Sequence, residues 1–230
     1  MKILRLVAVL AAALLLGGCG SSGPKSNGLA AKTASQIIAA ATAAAVGSTS
    51  VHVYGSGTQG GTTLALDLYL VAGKGGRGHI NVNGLSFDIV RVGSTAYFRG
   101  DARFWKRFGS SAVGALLKGR WLAESSTTGP LASFSSLTDI AKFFSSVLGA
   151  HGTLSKLATS TVNGHSVVAL NDAKSGGVLY ISATGEPYPL ELAKTTGKSS
   201  SIKFEDWNTP VQLAAPANSI DISKLKTPTG

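Results

Sequence analysis

The stretch Ile80-Asn81-Val82-Asn83-Gly84-Leu85-Ser86-Phe87-Asp88-Ile89 constrains this chain more than any other. Asn-Gly between two alternating runs is the strongest short hairpin signal, because both turn positions need a positive φ. With Asn83 and Gly84 as the turn, Val82 faces Leu85 and Ile80 faces Phe87, and Ile89 lies on the same side. The opposite side then pairs Asn81 with Ser86 and His79 with Asp88. Turn chemistry and alternation demand the same register, so the chain must build an antiparallel sheet with one apolar face.

The neighbouring sequence extends that sheet. Leu64, Leu66, Leu68 and Leu70 recur at every second position and so share one sheet face. Further strands are expected at Ser94–Arg99, Trp121–Ser125, Leu157–Val162, His165–Asn171, Gly177–Ala183, Tyr188–Thr195 and Ser201–Trp207, with a turn at Asn163-Gly164. Two helices interrupt the strands. Residues 33–46 are alanine-rich, with Thr33 or Ser35 to cap the start and Gly47 to end it. Over 136–148, Leu137, Ile140, Phe144, Val147 and Leu148 fall at three- and four-residue steps and make a wide apolar stripe. Helix, strands, helical insert, strands is the order of an α+β fold: a large curved antiparallel sheet, with helices covering one face and water on the other.

The apolar face carries Leu64, Leu66, Leu68, Leu70, Ile80, Val82, Phe87 and Ile89, and the covering helices offer Ile37, Ile38, Ile140, Phe144, Val147 and Leu148. If the helices fill that face, the result is a closed core. If they leave a gap, the gap is an apolar pocket, the usual form of a small-ligand site.

Several segments carry a resemblance to a known family: Val162-Asn163-Gly164, Leu179-Tyr180-Ile181, Pro187-Tyr188-Pro189-Leu190, and Ile202-Lys203-Phe204-Glu205-Asp206-Trp207-Asn208-Thr209-Pro210-Val211, with Tyr97-Phe98-Arg99-Gly100-Asp101 and Phe104-Trp105. Together with the element order, they resemble the LolA-like half-barrel lipoproteins of actinobacteria, the LppX/LprAFG type, over roughly residues 29–222. The resemblance implies a half-barrel that binds a lipid or lipoglycan within its curved sheet and helps carry it through the cell envelope, with an envelope transporter as a further partner. A structural or partner-binding surface lipoprotein with a filled core is the alternative.

The first residues support export. Met1–Arg5 is a short basic opening, and Leu6–Leu16 is an unbroken apolar run. That run is too short for a permanent membrane span, which needs roughly 20 residues. Leu16-Gly17-Gly18-Cys19 then matches a lipobox, with small residues giving a peptidase access and a thiol to accept the lipid. Cys19 is the chain's single cysteine, so no internal disulfide competes for it. We therefore expect residues 1–18 to be a lipoprotein signal peptide, 19–31 a flexible tether, and 32–226 one domain. The protein would be exported and anchored at the outer leaflet of the cell membrane by an acylated Cys19.

The chain has 21 Lys and Arg against 11 Asp and Glu. Export argues against nucleic acid as the partner for that charge and for an anionic membrane or wall polymer as its neighbour. Arg103, Phe104, Trp105, Lys106 and Arg107 mix aromatic and cationic side chains. They suit either a lip that docks on lipid headgroups or a loop whose rings enter the sheet edge while its charges are solvated. Gly197-Lys198-Ser199 lacks the first glycine of a phosphate-binding loop, since Leu192 stands there. His52, His79, His151 and His165 are scattered, with no His-Glu-x-x-His and no Gly-x-Ser-x-Gly elbow, and Arg99-Gly100-Asp101 is too short to mark adhesion. The expectation is a non-enzymatic protein without metal or other cofactor.

Overall fold

The computed structural model describes residues 25–222, apart from residues 60, 109, 130 and 195–199. Thirteen strands form one sheet: β1 (Ser50–Gln59), β2 (Thr62–Val71), β3 (Gly75–Val82), β4 (Leu85–Val92), β5 (Thr95–Gly100), β6 (Leu122–Ser125), β7 (Leu154–Lys156), β8 (Ser160–Val162), β9 (His165–Asp172), β10 (Gly177–Ser182), β11 (Pro189–Lys194), β12 (Ser200–Glu205) and β13 (Ile220–Asp221). Their spatial order is β13-β6-β5-β4-β3-β2-β1-β12-β11-β10-β9-β7, with β8 also on β9. All pairs are antiparallel except β13 with β6. The two ends do not meet, so the sheet is an open half-barrel.

The hairpin adopts the register its sequence demands. Val82 pairs with Leu85, Ile80 with Phe87, Asn81 with Ser86 and His79 with Asp88. Asn83 and Gly84 both have positive φ, at 51° and 82°. Leu66, Leu68, Leu70, Ile80, Phe87 and Ile89 are buried on the concave face, while Asp67, Arg77 and His79 stand on the other side in water.

The helices lie on the concave face. α1 (Ala34–Gly47) starts with a capping box in which the Thr33 side chain accepts from the Gln36 N–H and the Gln36 side chain accepts from the Thr33 N–H. Its buried stripe is Ile37, Ala41 and Ala45. α2 (Ala102–Phe108) and α3 (Ser111–Leu117) pack on each other, and α2 rests on β4 and β5. α4 (Ala132–Ser135) runs into a 3-10 turn at Ser136–Thr138, and α5 (Ile140–Gly149) packs along α1.

Three expectations change. The helix expected over 136–148 begins at Ile140, because Asp139 is extended (φ −114°, ψ 114°) and its side chain accepts from the Lys142 N–H, capping α5. Of the strand expected over 157–162 only Ser160–Val162 forms one, as β8, while the strand β7 lies just before the expected range, and both pair with β9. β1 is a ten-residue central strand that the sequence reading does not anticipate, since its glycines and serines obscure the alternation.

The last residues of the expected 19–31 tether are held on the domain. The Asn27 N–H donates to the Ala183 carbonyl at 2.9 Å, its side-chain amide donates to the Ser182 and Gly185 carbonyls, and Leu29 is 2 % exposed in the core. Residues 26–31 are thus docked on the sheet. Cys19 and residues 1–18 lie outside the described residues, as do Gly197-Lys198-Ser199.

Candidate functional site

The concave face is divided. Over β3, β4 and β5 it is filled with aromatic rings: Phe87 lies 4.6 Å from Phe104, 4.9 Å from Phe134 and 6.3 Å from Phe98, ring centre to ring centre. Gly100 makes this packing possible, because a Cβ there would collide with the Phe104 ring. Phe104 and Trp105 are 1 % and 2 % exposed. These two rings therefore belong to the core and are withdrawn from any membrane lip, while Arg103, Lys106 and Arg107 stand exposed on α2.

On the other side of the sheet midline, the helices leave a gap. A cavity of about 610 Å³ lies between α5, with the turn before it, and the concave face of β1, β2 and β9 to β12. Leu66, Phe143, Leu148, Leu170 and Leu179 form its buried depth. Thr62, Lys142, Ser146 and His151 stand exposed at its rim. A second hollow of about 550 Å³ runs along the outer seam of α1 and α5. The two share Ile38, Leu148 and His151 on their walls.

Five of the residues expected to line a pocket do so: Ile38, Leu64, Leu66, Val147 and Leu148. Ile37, Leu68, Leu70, Ile80, Val82, Phe87, Ile89, Ile140 and Phe144 pack in the filled core or against it, outside the cavity wall. The other half of the wall comes from Phe143, Leu170, Leu179, Leu192 and Ile202. Alternation in the closing strands marks these last residues as inward-facing. What the sequence does not give is the curl that brings β9 to β12 around opposite β2.

The roof is held by polar contacts. On β4, Arg91 donates to the Thr138 hydroxyl and to the Thr138 carbonyl, both at 2.9 Å, and reaches the Asp139 carboxylate at 3.4 Å. The Thr138 hydroxyl in turn donates to the Ser135 carbonyl at 2.6 Å. The turn that starts α5 is thereby fixed to the sheet.

The remaining polar groups are engaged structurally. Asp88 takes both His79, at 3.0 Å, and Arg99, at 2.8 Å, and among the described residues no hydroxyl is bonded to His79. Arg99 also lies 4.7 Å over the Trp121 ring, and Asp101 accepts from the Phe104 N–H to cap α2, which holds its carboxyl below the usual range. The adhesion-like tripeptide is therefore used up in the fold. On the convex face the Tyr54 hydroxyl donates to Glu205 at 2.7 Å, which raises its pKa to about 12. Among the described residues, no three His, Cys, Asp or Glu side chains gather where they could hold a metal, and no helix is long and apolar enough to cross a membrane.

No protein-family model matches the chain, and no curated protein does. Among solved structures it is similar to LprF from Mycobacterium bovis, at 14 % identity and a TM-score of 0.54, covering 84 % of this chain and 99 % of that one. A LolA superfamily protein from Nitrosomonas europaea superposes only loosely, at 8 % identity and a TM-score of 0.27, over 79 % of this chain and 95 % of that one. The chain thus has the open half-barrel fold seen in LprF.

Proposed function

We propose that the protein is a lipoprotein of the cell envelope that takes the hydrocarbon part of a lipid or lipoglycan into the cavity beneath its sheet and carries it within or across the envelope. The observation that carries this reading is the cavity itself: about 610 Å³, apolar in its depth and polar at its rim, within the range of small-ligand sites. Burying an acyl chain there would stabilise a complex by about 0.8 kcal/mol per methylene. The filled-core alternative loses ground because space remains beneath β9 to β12 even though Phe144 packs on Phe204 of β12.

Anchoring belongs to the same reading. Cys19 follows a lipobox and becomes the acylated first residue, and export places it at the outer leaflet. The docking of residues 26–31 places the start of the domain only seven residues after Cys19. The domain is then held close to the bilayer, where a ligand can pass between membrane, cavity and an envelope transporter. Binding and carrying require no catalysis and no cofactor.

Two measurements test this. A chain beginning at Lys25, purified from a lipid-rich host, should show co-purifying lipid in native mass spectra, and Cys19→Ser in the full chain should abolish incorporation of labelled palmitate. A lipid-free protein whose melting temperature does not respond to added lipid contradicts the carrier. Unchanged labelling of Cys19→Ser contradicts the anchor.

A further inference from the structure

We infer that the ligand is an amphiphile with an anionic head. This rests on the reading of the cavity as a hydrocarbon site and adds its charge.

The charge follows from the wall. Leu192 and Lys194 are two residues apart on β11, so both point to the concave face. Lys194, a half-buried residue, therefore lines the cavity from the concave face, where a sheet lining a core would carry an apolar side chain. Lys142 meets the same cavity from α5. Among the described residues neither ammonium has a carboxylate partner. The acid nearest Lys142 in the chain, Asp139, is spent on the Lys142 N–H and on Arg91. His151, also on the wall, has its Nδ1 engaged in donating to the Gly152 carbonyl at 2.7 Å.

The single carboxylate on the wall does not cancel these charges. Asp172 accepts from the Ser175 hydroxyl at 2.7 Å and from the Lys174 and Gly152 N–H groups at 3.0 and 3.1 Å. It is 8 % exposed and is turned into its own hairpin. Two unpaired cations beside an apolar hollow recognise a carboxylate or phosphate on a hydrocarbon tail. A wholly neutral ligand would leave both ammonium groups unanswered.

The test compares three ligands that share one palmitoyl chain: palmitate, lysophosphatidylglycerol and monopalmitoylglycerol. Each is titrated into the delipidated chain beginning at Lys25 and into its Lys142→Gln and Lys194→Gln variants. The two anionic ligands should bind tighter than the neutral one. Their affinity should fall about threefold in Lys142→Gln, where the lysine is exposed, and about tenfold in Lys194→Gln. Monopalmitoylglycerol should bind all three proteins equally, which also reports that the variants are folded. The tighter of the two anionic ligands distinguishes a carboxylate head from a phosphodiester. Equal affinities for all three ligands, unchanged in the variants, overturn the anionic head while leaving the cavity reading intact. Failure of every ligand to bind the parent chain overturns both.

Discussion

Arg91 grips Thr138 by two atoms at once, its Nε on the hydroxyl and its terminal nitrogen on the carbonyl, each at 2.9 Å. Thr138 is fully buried and the Arg91 side chain is 13 % exposed, so the contact is shielded from solvent. It joins the middle of the sheet to the residue before the cap of α5, and α5 is the roof of the cavity.

Arg91→Met should therefore cost about 2–3 kcal/mol of stability, since a buried carbonyl and hydroxyl lose charged donors. Urea unfolding measures this directly. The same variant should bind lipid more weakly, because α5 loses its fixed start. A change below about 0.5 kcal/mol would show that the clamp is incidental.

Val147→Trp places a large ring into the cavity from α5, where the native valine is half-buried on the wall. Lipid binding should fall at least tenfold, with stability within about 1 kcal/mol of the parent because empty space is being filled. Titration of a fluorescent fatty acid, beside a thermal melt, separates the two effects. Leu68→Trp, in the filled core, should instead destabilise without acting on the ligand selectively.

Glu124 on β6 is 6 % exposed, and only its Oε1 has a partner, the Leu131 N–H at 3.0 Å. Burial raises its pKa above the ordinary value of 4.5. A carboxyl whose folded pKa is raised contributes stability that is fully present below its unfolded pKa and is lost as pH rises through the folded one. Glu124→Gln keeps an oxygen for Leu131 and cannot ionise. It should melt higher than the parent at neutral pH, and the difference should vanish as pH falls below 4.5. A difference independent of pH would contradict this.

Removing residues 1–31 should cost about 3 kcal/mol relative to a chain beginning at Lys25, because it removes the burial of Leu29 and the hydrogen bonds of Asn27. Paired denaturant titrations check it. Equal stabilities would mean that residues 26–31 are leash after all.

The two halves of the fold differ in how much of them is readable in residue order. The β3–β4 hairpin is local: Asn83-Gly84 and the alternation around it specify every pair without reference to the rest of the chain. The capping box of α1 is equally local. β1 is not, because Gly55 and Gly57 mask its pattern and its pairing with β12 joins residues far apart in sequence. Gly55 is in fact required there: its φ is +135°, and a Cβ would strike the Ser201 carbonyl oxygen. The site divides in the same way. An apolar face beneath helices can be read from Leu64 to Ile89, yet which part is filled depends on where Phe104 and Phe134 land and on the curl that brings Leu170, Leu179 and Ile202 opposite Leu66. These are long-range facts of packing, and a pattern of period two contains none of them. Lys194 is the exception, since its spacing from Leu192 already places a charge on the inner face.

The most direct measurement is a crystal structure of the protein bound to a fatty acid brominated at the end of its chain, with the bromine located by its anomalous scattering. The account predicts a peak in the depth of the cavity, between α5 and the side chains of Leu170 and Leu179. A bromine in the outer seam of α1 and α5, or none in a cavity closed by its own side chains, would contradict it.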